Sequence, residues 1–155
     1  MDNAAKLIFK NKLREFCDGL IRQRIDAART MMGNAQQAAN SEEKSSAGDK
    51  YETSRAMGHL EKDMHARQLA EHLKELAYFQ SVNCNLLYEK VTAGSFIDSE
   101  KISFFIAAGL GKQNFENRSI YFLSPQSPLA KSLIDKKVND EFVFNKESIV
   151  IRELF

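Results

Sequence analysis

Asn40-Ser-Glu-Glu-Lys-Ser-Ser-Ala-Gly-Asp-Lys-Tyr-Glu-Thr53 is a run of small and charged residues lying between two long apolar stripes. Such residues favour turns and caps over helix interiors, so the run reads as the tip of a hairpin. On its amino-terminal side Cys17, Ile21, Ile25, Ala28, Met32, Ala35 and Ala39 step by threes and fours, which aligns them on one face of a long helix. On its carboxy-terminal side Met57, Leu60 and Met64, then Leu69, Leu73 and Leu76, offer a facing stripe with a slip near Arg67. Both prolines, Pro125 and Pro128, fall in the last third of the chain. The expected arrangement is an antiparallel α-helical coiled-coil hairpin over residues 1–80 with its tip at 40–52. Each arm, at roughly 35 residues and about 1.5 Å per residue, would be on the order of 50 Å long. A hairpin of that length buries only a seam, and its natural use is reach.

Beyond residue 80 the pattern changes. Ser95-Phe-Ile, Ile102-Ser-Phe-Phe-Ile, Ile120-Tyr-Phe-Leu, Glu141-Phe-Val-Phe and Ile149-Val-Ile are β-branched and aromatic clusters separated by Gly, Asn, Asp and Ser. They read as short strands of a twisted antiparallel sheet. Ser127-Pro-Leu-Ala-Lys-Ser-Leu-Ile134 has a capping residue, a proline suited to the first helical position and then helix formers. A short helix burying Leu129, Leu133 and Ile134 against the sheet is expected. The fold class is therefore α+β, with a linker at 81–91 and a second domain at 92–155.

The charge balance of 22 basic against 21 acidic residues gives a net +1, too little to hold the chain on a nucleic acid backbone or an anionic membrane. Any nucleic acid is more readily reached through a partner protein. Met1 to Leu13 mixes charges into short apolar runs, unlike a signal peptide or spanning helix, so a cytoplasmic protein is expected. Cys17 and Cys84 have no second cysteine or metal-ligand partner at zinc spacing and read as reduced structural thiols. His59, His65 and His72 lack the i, i+4 pairing of a helical metal site. Gly109-Leu-Gly111 reads as a turn between strands, and the aromatic residues from Phe96 to Phe155 as sheet core.

The stretch Ser124-Pro-Gln-Ser-Pro-Leu-Ala-Lys-Ser-Leu-Ile-Asp-Lys-Lys-Val-Asn-Asp-Glu-Phe142 resembles the carboxy-terminal signature of the Gre-type transcript cleavage factors. In that family a Ser-Pro-Leu/Ile helix leads through a Gly-Lys-Lys-x-Gly-Asp type turn into the last hairpin. Asp135 and Asn139 stand here at the two glycine positions, and both residue types tolerate turn geometry. Val91-Thr-Ala-Gly-Ser-Phe-Ile97 resembles the strand that opens the same domain, and the order of hairpin then sheet also agrees. The resemblance implies a small FKBP-like second domain that docks on bacterial RNA polymerase. It also implies a hairpin that enters the polymerase secondary channel, where tip carboxylates help hold a second Mg²⁺ against backtracked RNA. Such a chain needs no cofactor and has no active site when isolated; it stimulates the polymerase's own endonuclease and is expected to be a monomer. Mg²⁺ prefers oxygen ligands and readily leaves part of its shell to other donors, so one or two carboxylates can complete a site built elsewhere.

The family's tip pattern, Gly-Asp-x-x-Glu-Asn-x-Glu-Tyr, can be laid on this sequence in two registers. Gly48-Asp49 placed on Gly-Asp puts Glu52 at the required offset, one helical turn on, with Thr53 at the asparagine position. Anchoring on Tyr51 instead places Lys44 and Ala47 at the two acidic positions and removes the cleavage chemistry. The first register has a mechanical sense of its own, a Gly-Asp turn capping a helix. Asp49 and Glu52 are then the candidate catalytic and metal-binding carboxylates, with Glu42 and Glu43 as further candidates at the tip. The plain alternative makes Asp49 a cap, Glu52 its capping-box partner and Glu42 and Glu43 solvated tip residues. Ser127, Pro128, Lys131, Lys136 and Lys137 are the candidate partner-binding residues, lying beside Asp135, Asp140 and Glu141 in a mixed-charge rim. A non-cleaving occupant of the secondary channel is the first alternative function. A prolyl isomerase or chaperone acting through the second domain is a more distant one, resting on fold analogy alone.

Overall fold

The computed structural model describes the backbone of residues 1–43 and 48–155 and the side chains of residues 1–41 and 52–155. Its elements are α1 (Asn3–Glu43), α2 (Gly48–Ser81), β1 (Phe96–Ser99), β2 (Ser103–Ile106), β3 (Gly111–Phe115), β4 (Arg118–Leu123), α3 (Pro128–Leu133), β5 (Glu141–Phe144) and β6 (Glu147–Leu154). Contacts divide the chain into two compact units, one of Met1–Asp18 with Tyr78–Phe155 and one of Gly19–Ala77.

The second unit is an antiparallel helix pair. Gln36 accepts from Lys62 Nζ at 2.5 Å, Arg24 Nη1 lies 4.0 Å from Glu75 Oε1, and Ala39 meets the backbone at Gly58. The partner on α2 falls as the position on α1 rises, which is the signature of antiparallel packing. Ile21, Ile25, Ala28, Ala35 and Ala39 are buried along α1 as the stripe requires, and Met32 is half-buried.

On α2 the face turned inward differs from the one the apolar stripe predicts. Met57, Leu60, Met64 and Leu73 are exposed, while Gly58 is buried and Lys62, His65, Ala66, Leu69, His72, Glu75 and Leu76 are half-buried. These positions also step by threes and fours, so α2 carries two competing faces. The close approach of Ala39 at Gly58 and the Lys62–Gln36 and Arg24–Glu75 pairs accompany the more polar one.

The first unit is a six-stranded sheet of order β3-β4-β2-β1-β6-β5. Neighbours are antiparallel except β2 and β4, which run parallel with Phe104 opposite Tyr121. The parallel pair departs from the all-antiparallel expectation. It arises because β3, a polar edge strand starting at the glycine read as a turn, returns the chain as an antiparallel hairpin with β4.

All four residues of β2 are buried because both faces of the sheet are covered. Alternate side chains point to opposite faces of a strand. Ile97, Phe104, Ile106 and Ile151 join Ala130 and Leu133 of α3 in one core. Phe96, Phe122 and Phe155 meet the first turns of α1: Phe9 stands edge-on to Phe96 at 5.0 Å and to Phe155 at 6.2 Å, and Phe16 lies 5.6 Å from Phe122.

Ser127 caps α3, its Oγ accepting from Ala130 N at 3.2 Å, with Pro128 as the first helical residue. Leu133 is buried and Leu129 packs partly against the core, but Ile134 is exposed; Ala130 takes the buried place. The reason is that the helix ends at Leu133, and Ile134 has already left helical geometry with ψ 137°.

Candidate functional site

Two regions carry the candidate residues. At the hairpin tip α1 ends at Glu43 and α2 begins at Gly48, so Asp49 and Glu52 both belong to the first five residues of α2. Glu52 is exposed. The side chains of Glu42, Glu43 and Asp49 lie outside the described residues. Residues three apart on a helix are neighbours on its surface, so this spacing can direct two carboxylates to one ligand.

The other region is α3 and the turn after it. Asp135 and Asn139 adopt positive φ values of 69° and 77°. This is the left-handed conformation that glycine adopts freely and that Asn and Asp tolerate best among other residues. The turn is held at several points. Asp135 N donates to Val91 O at 2.9 Å, Val91 N to Lys136 O at 2.9 Å, Asn139 N to Ile151 O at 2.8 Å and Lys137 N to Asp140 Oδ2 at 2.8 Å.

Lys131 and Lys137 are exposed on this surface and Lys136 is half-buried; Pro128 is exposed and Ser127 is committed to its cap. The structure adds exposed apolar side chains that the sequence reading did not select. Ile134 and Val138 lie in the same segment, and Val143, 69 % exposed, is on the edge strand β5. Ile134 and Val138 flank the Lys136-Lys137 pair, and Val143 stands between Phe142 and Phe144, so neither charge nor apolar patterning singled them out as exposed.

A third cluster was also missed. Lys10 is fully buried, donates from Nζ to Leu86 O at 2.5 Å and stands over the Tyr88 ring at 4.6 Å. Burial lowers its pKa from 10.5 to about 8, with the neighbouring Cys84 acting in the opposite sense. Burial likewise raises the Cys84 thiol above its ordinary 9.0 against the pull of Lys10 and Arg14, and burial and Cys84 together raise Tyr88. The sequence signal was a lysine one residue from Phe9 and three from Leu13, within the buried side of the first turns of α1. The cluster joins α1 to the segment before the sheet.

On the same unit, Arg118 donates to Asp98 Oδ1 at 3.0 Å and Ser103 Oγ at 3.1 Å, and its guanidinium lies over Phe9 and Phe96. It borders an open cleft of about 360 Å³ lined also by Met1, Ala5, Ile8, Phe9, Lys12 and Glu116. The charges of the cleft are already paired, Lys12 with Glu116 at 3.3 Å and Arg118 with Asp98.

His65 contacts Gln68 at 3.1 Å and His72 lies 3.9 Å from Glu75, so each has a local partner on α2. Both cysteines are free thiols and buried. Among the described residues no helix is long and apolar enough to cross a membrane. No protein-family model matches this chain, and no curated protein matches it.

Proposed function

We propose that this chain is a transcription elongation factor that binds bacterial RNA polymerase, inserts its helix pair into the secondary channel and stimulates Mg²⁺-dependent cleavage of backtracked RNA. The observation that carries this reading is the pair of left-handed residues Asp135 and Asn139 after the Ser127-capped helix. The turn takes glycine-like geometry at the two positions where the family it resembles has glycine. An antiparallel helix pair followed by a six-stranded sheet supports the same reading.

In this reading the helix pair supplies reach and the α3 surface supplies docking, through Ser127, Pro128, Lys131, Lys136 and Lys137 with the exposed Ile134 and Val138. Asp49 and Glu52 are hard oxygen donors one helical turn apart, a donor set that suits Mg²⁺. When bound jointly with the polymerase, the metal would stabilise charge on the attacking and leaving oxygens. The chain's own carboxylates orient that ion and its water; the remaining chemistry is the polymerase's. The tip register anchored on Tyr51 favours the alternative of a channel regulator that does not cleave.

The test uses a stalled, backtracked elongation complex with end-labelled RNA and Mg²⁺. Shortened transcripts are expected with the wild-type chain and none with the Asp49→Ala/Glu52→Ala double variant. Cleavage by both would move the chemistry to Glu42 and Glu43. Binding without cleavage by either would favour the non-cleaving regulator.

A further inference from the structure

The helix pair leaves its most apolar surface uncovered. Met57, Leu60 and Met64 of α2 are 64 %, 69 % and 48 % exposed, and Met31 of α1 is 53 % exposed. Taking the buried line of each helix as its inward direction and about 100° per residue, Met57, Leu60 and Met64 lie about 120° to one side on α2 and Met31 about 75° to one side on α1. Because the helices are antiparallel, the two offsets turn toward the same side of the pair. Ala38, also exposed on α1, falls there as well, whereas Leu73 falls on the opposite side.

We propose that this methionine-rich face is a self-association surface, and that its occupant is the same face of a second copy of this chain. With these exposures the face is on the order of 400 Å², the size of the largest apolar patch on a typical soluble monomer, which is often functional. Two copies would remove about 800 Å² of apolar surface from water; since interfaces are roughly 60 % apolar, the whole contact would be about 1,300 Å², within the range of specific complexes. Two-fold pairing makes the patch its own complement, as isologous dimers require. A net charge of +1 sets no repulsion against bringing copies together. Methionine is unbranched and adaptable, which suits a surface that must be stable both free and covered. The resemblance implies a monomer, and the apolar stripe placed Met57, Leu60 and Met64 in the seam between the helices. Their exposure leaves them free to meet a second copy. The proposal stands apart from the polymerase reading, since it concerns Met31, Ala38, Met57, Leu60 and Met64, to none of which that reading assigns a role.

Sedimentation equilibrium of the full chain from about 1 to 200 µM is expected to show a monomer–dimer equilibrium with Kd on the order of 10 µM, as suits a contact at the smaller end of the specific range. Leu60→Glu/Met64→Glu should weaken it at least tenfold with helix content by circular dichroism unchanged, and Leu73→Glu on the opposite side should leave it intact. A wild-type chain that stays monomeric at the highest concentration overturns the proposal, as does a dimer that survives Leu60→Glu/Met64→Glu or is lost equally in Leu73→Glu. Loss of polymerase binding in the double variant of a monomeric wild type would instead give this face to the polymerase.

Discussion

The β-carbon of Ala39 on α1 lies 3.1 Å from the point where a β-carbon would stand on Gly58 of α2. Glycine inside a helix is unfavourable relative to alanine by about 1 kcal/mol, so close approach of the two backbones is the compensating reason for it here. Gly58→Ala should change stability little, helix propensity offsetting a shift of a few tenths of an ångström. Gly58→Leu cannot be absorbed that way and should cost about 1–3 kcal/mol by overpacking. Urea unfolding followed by far-ultraviolet circular dichroism measures both. A leucine variant as stable as the wild type would mean that the helices do not meet at this point.

Asn139 makes a second prediction, this time about the turn after α3. With φ at 77° and its N–H donated to Ile151 O, the position tolerates glycine and asparagine and penalises a β-branched side chain. Asn139→Gly and Asp135→Gly should keep or slightly raise the unfolding midpoint, whereas Asn139→Val should lose about 1–2 kcal/mol. Equal stability of the valine and glycine variants would refute the left-handed turn.

The strands at Phe96–Ser99 and Ser103–Ile106 were legible because a strand buried on both faces must be written in β-branched and aromatic residues, and Arg118–Leu123 because buried Ile120 and Phe122 alternate with half-buried Tyr121 and Leu123. Gly111–Phe115 was not, since an edge strand with an exposed face has no such requirement. The existence of the hairpin was legible from α1, whose stripe is unambiguous. The seam of α2 was legible at Leu69 and Leu76 alone. Apolar periodicity selected Met57, Leu60 and Met64, while the structure buries Gly58 and turns Lys62, His65 and His72 inward, residues that hydropathy ranks as solvent-facing. Phe9 and Phe16 could not be told from the hairpin stripe, because helical spacing continues unbroken while the partner changes from a helix to a sheet. For the candidate site, the cap at Ser127 and the permissive turn residues could be read locally, whereas the exposure of Ile134 depended on where α3 stops.

Gly94 gives a third prediction. It has φ at 92°, and a β-carbon there would overlap the carbonyl oxygen of Asn83, with Tyr88 also within contact. Tyr88 donates its hydroxyl to that same Asn83 oxygen at 2.7 Å. Gly94→Ala therefore combines backbone strain with a clash against main chain, which has little freedom to give. A loss of about 2–4 kcal/mol is expected. A melting temperature within a degree or two of wild type would show that the segment before β1 runs elsewhere.

The buried Lys10 ties stability to alkaline pH with a sign that can be worked out. Its pKa is about 8 in the folded chain against an ordinary 10.5, so between those values the unfolded chain binds more protons. Stability should rise with pH across that window, by at most about 1.4 kcal/mol per unit. Cys84 acts the other way: burial holds its proton past the ordinary 9.0, so its contribution is present below that pH and is lost above it. The raised Tyr88 adds to the loss above 10.0. The two trends together predict a rise from about pH 8 that flattens near pH 9. Lys10→Met should abolish the rise, and Cys84→Ala should let it continue toward pH 10. Urea midpoints measured from pH 7 to 10 on the three proteins decide the matter, and a wild-type midpoint that falls steadily from pH 8 would mean that the lysine is charged and solvated in the folded chain.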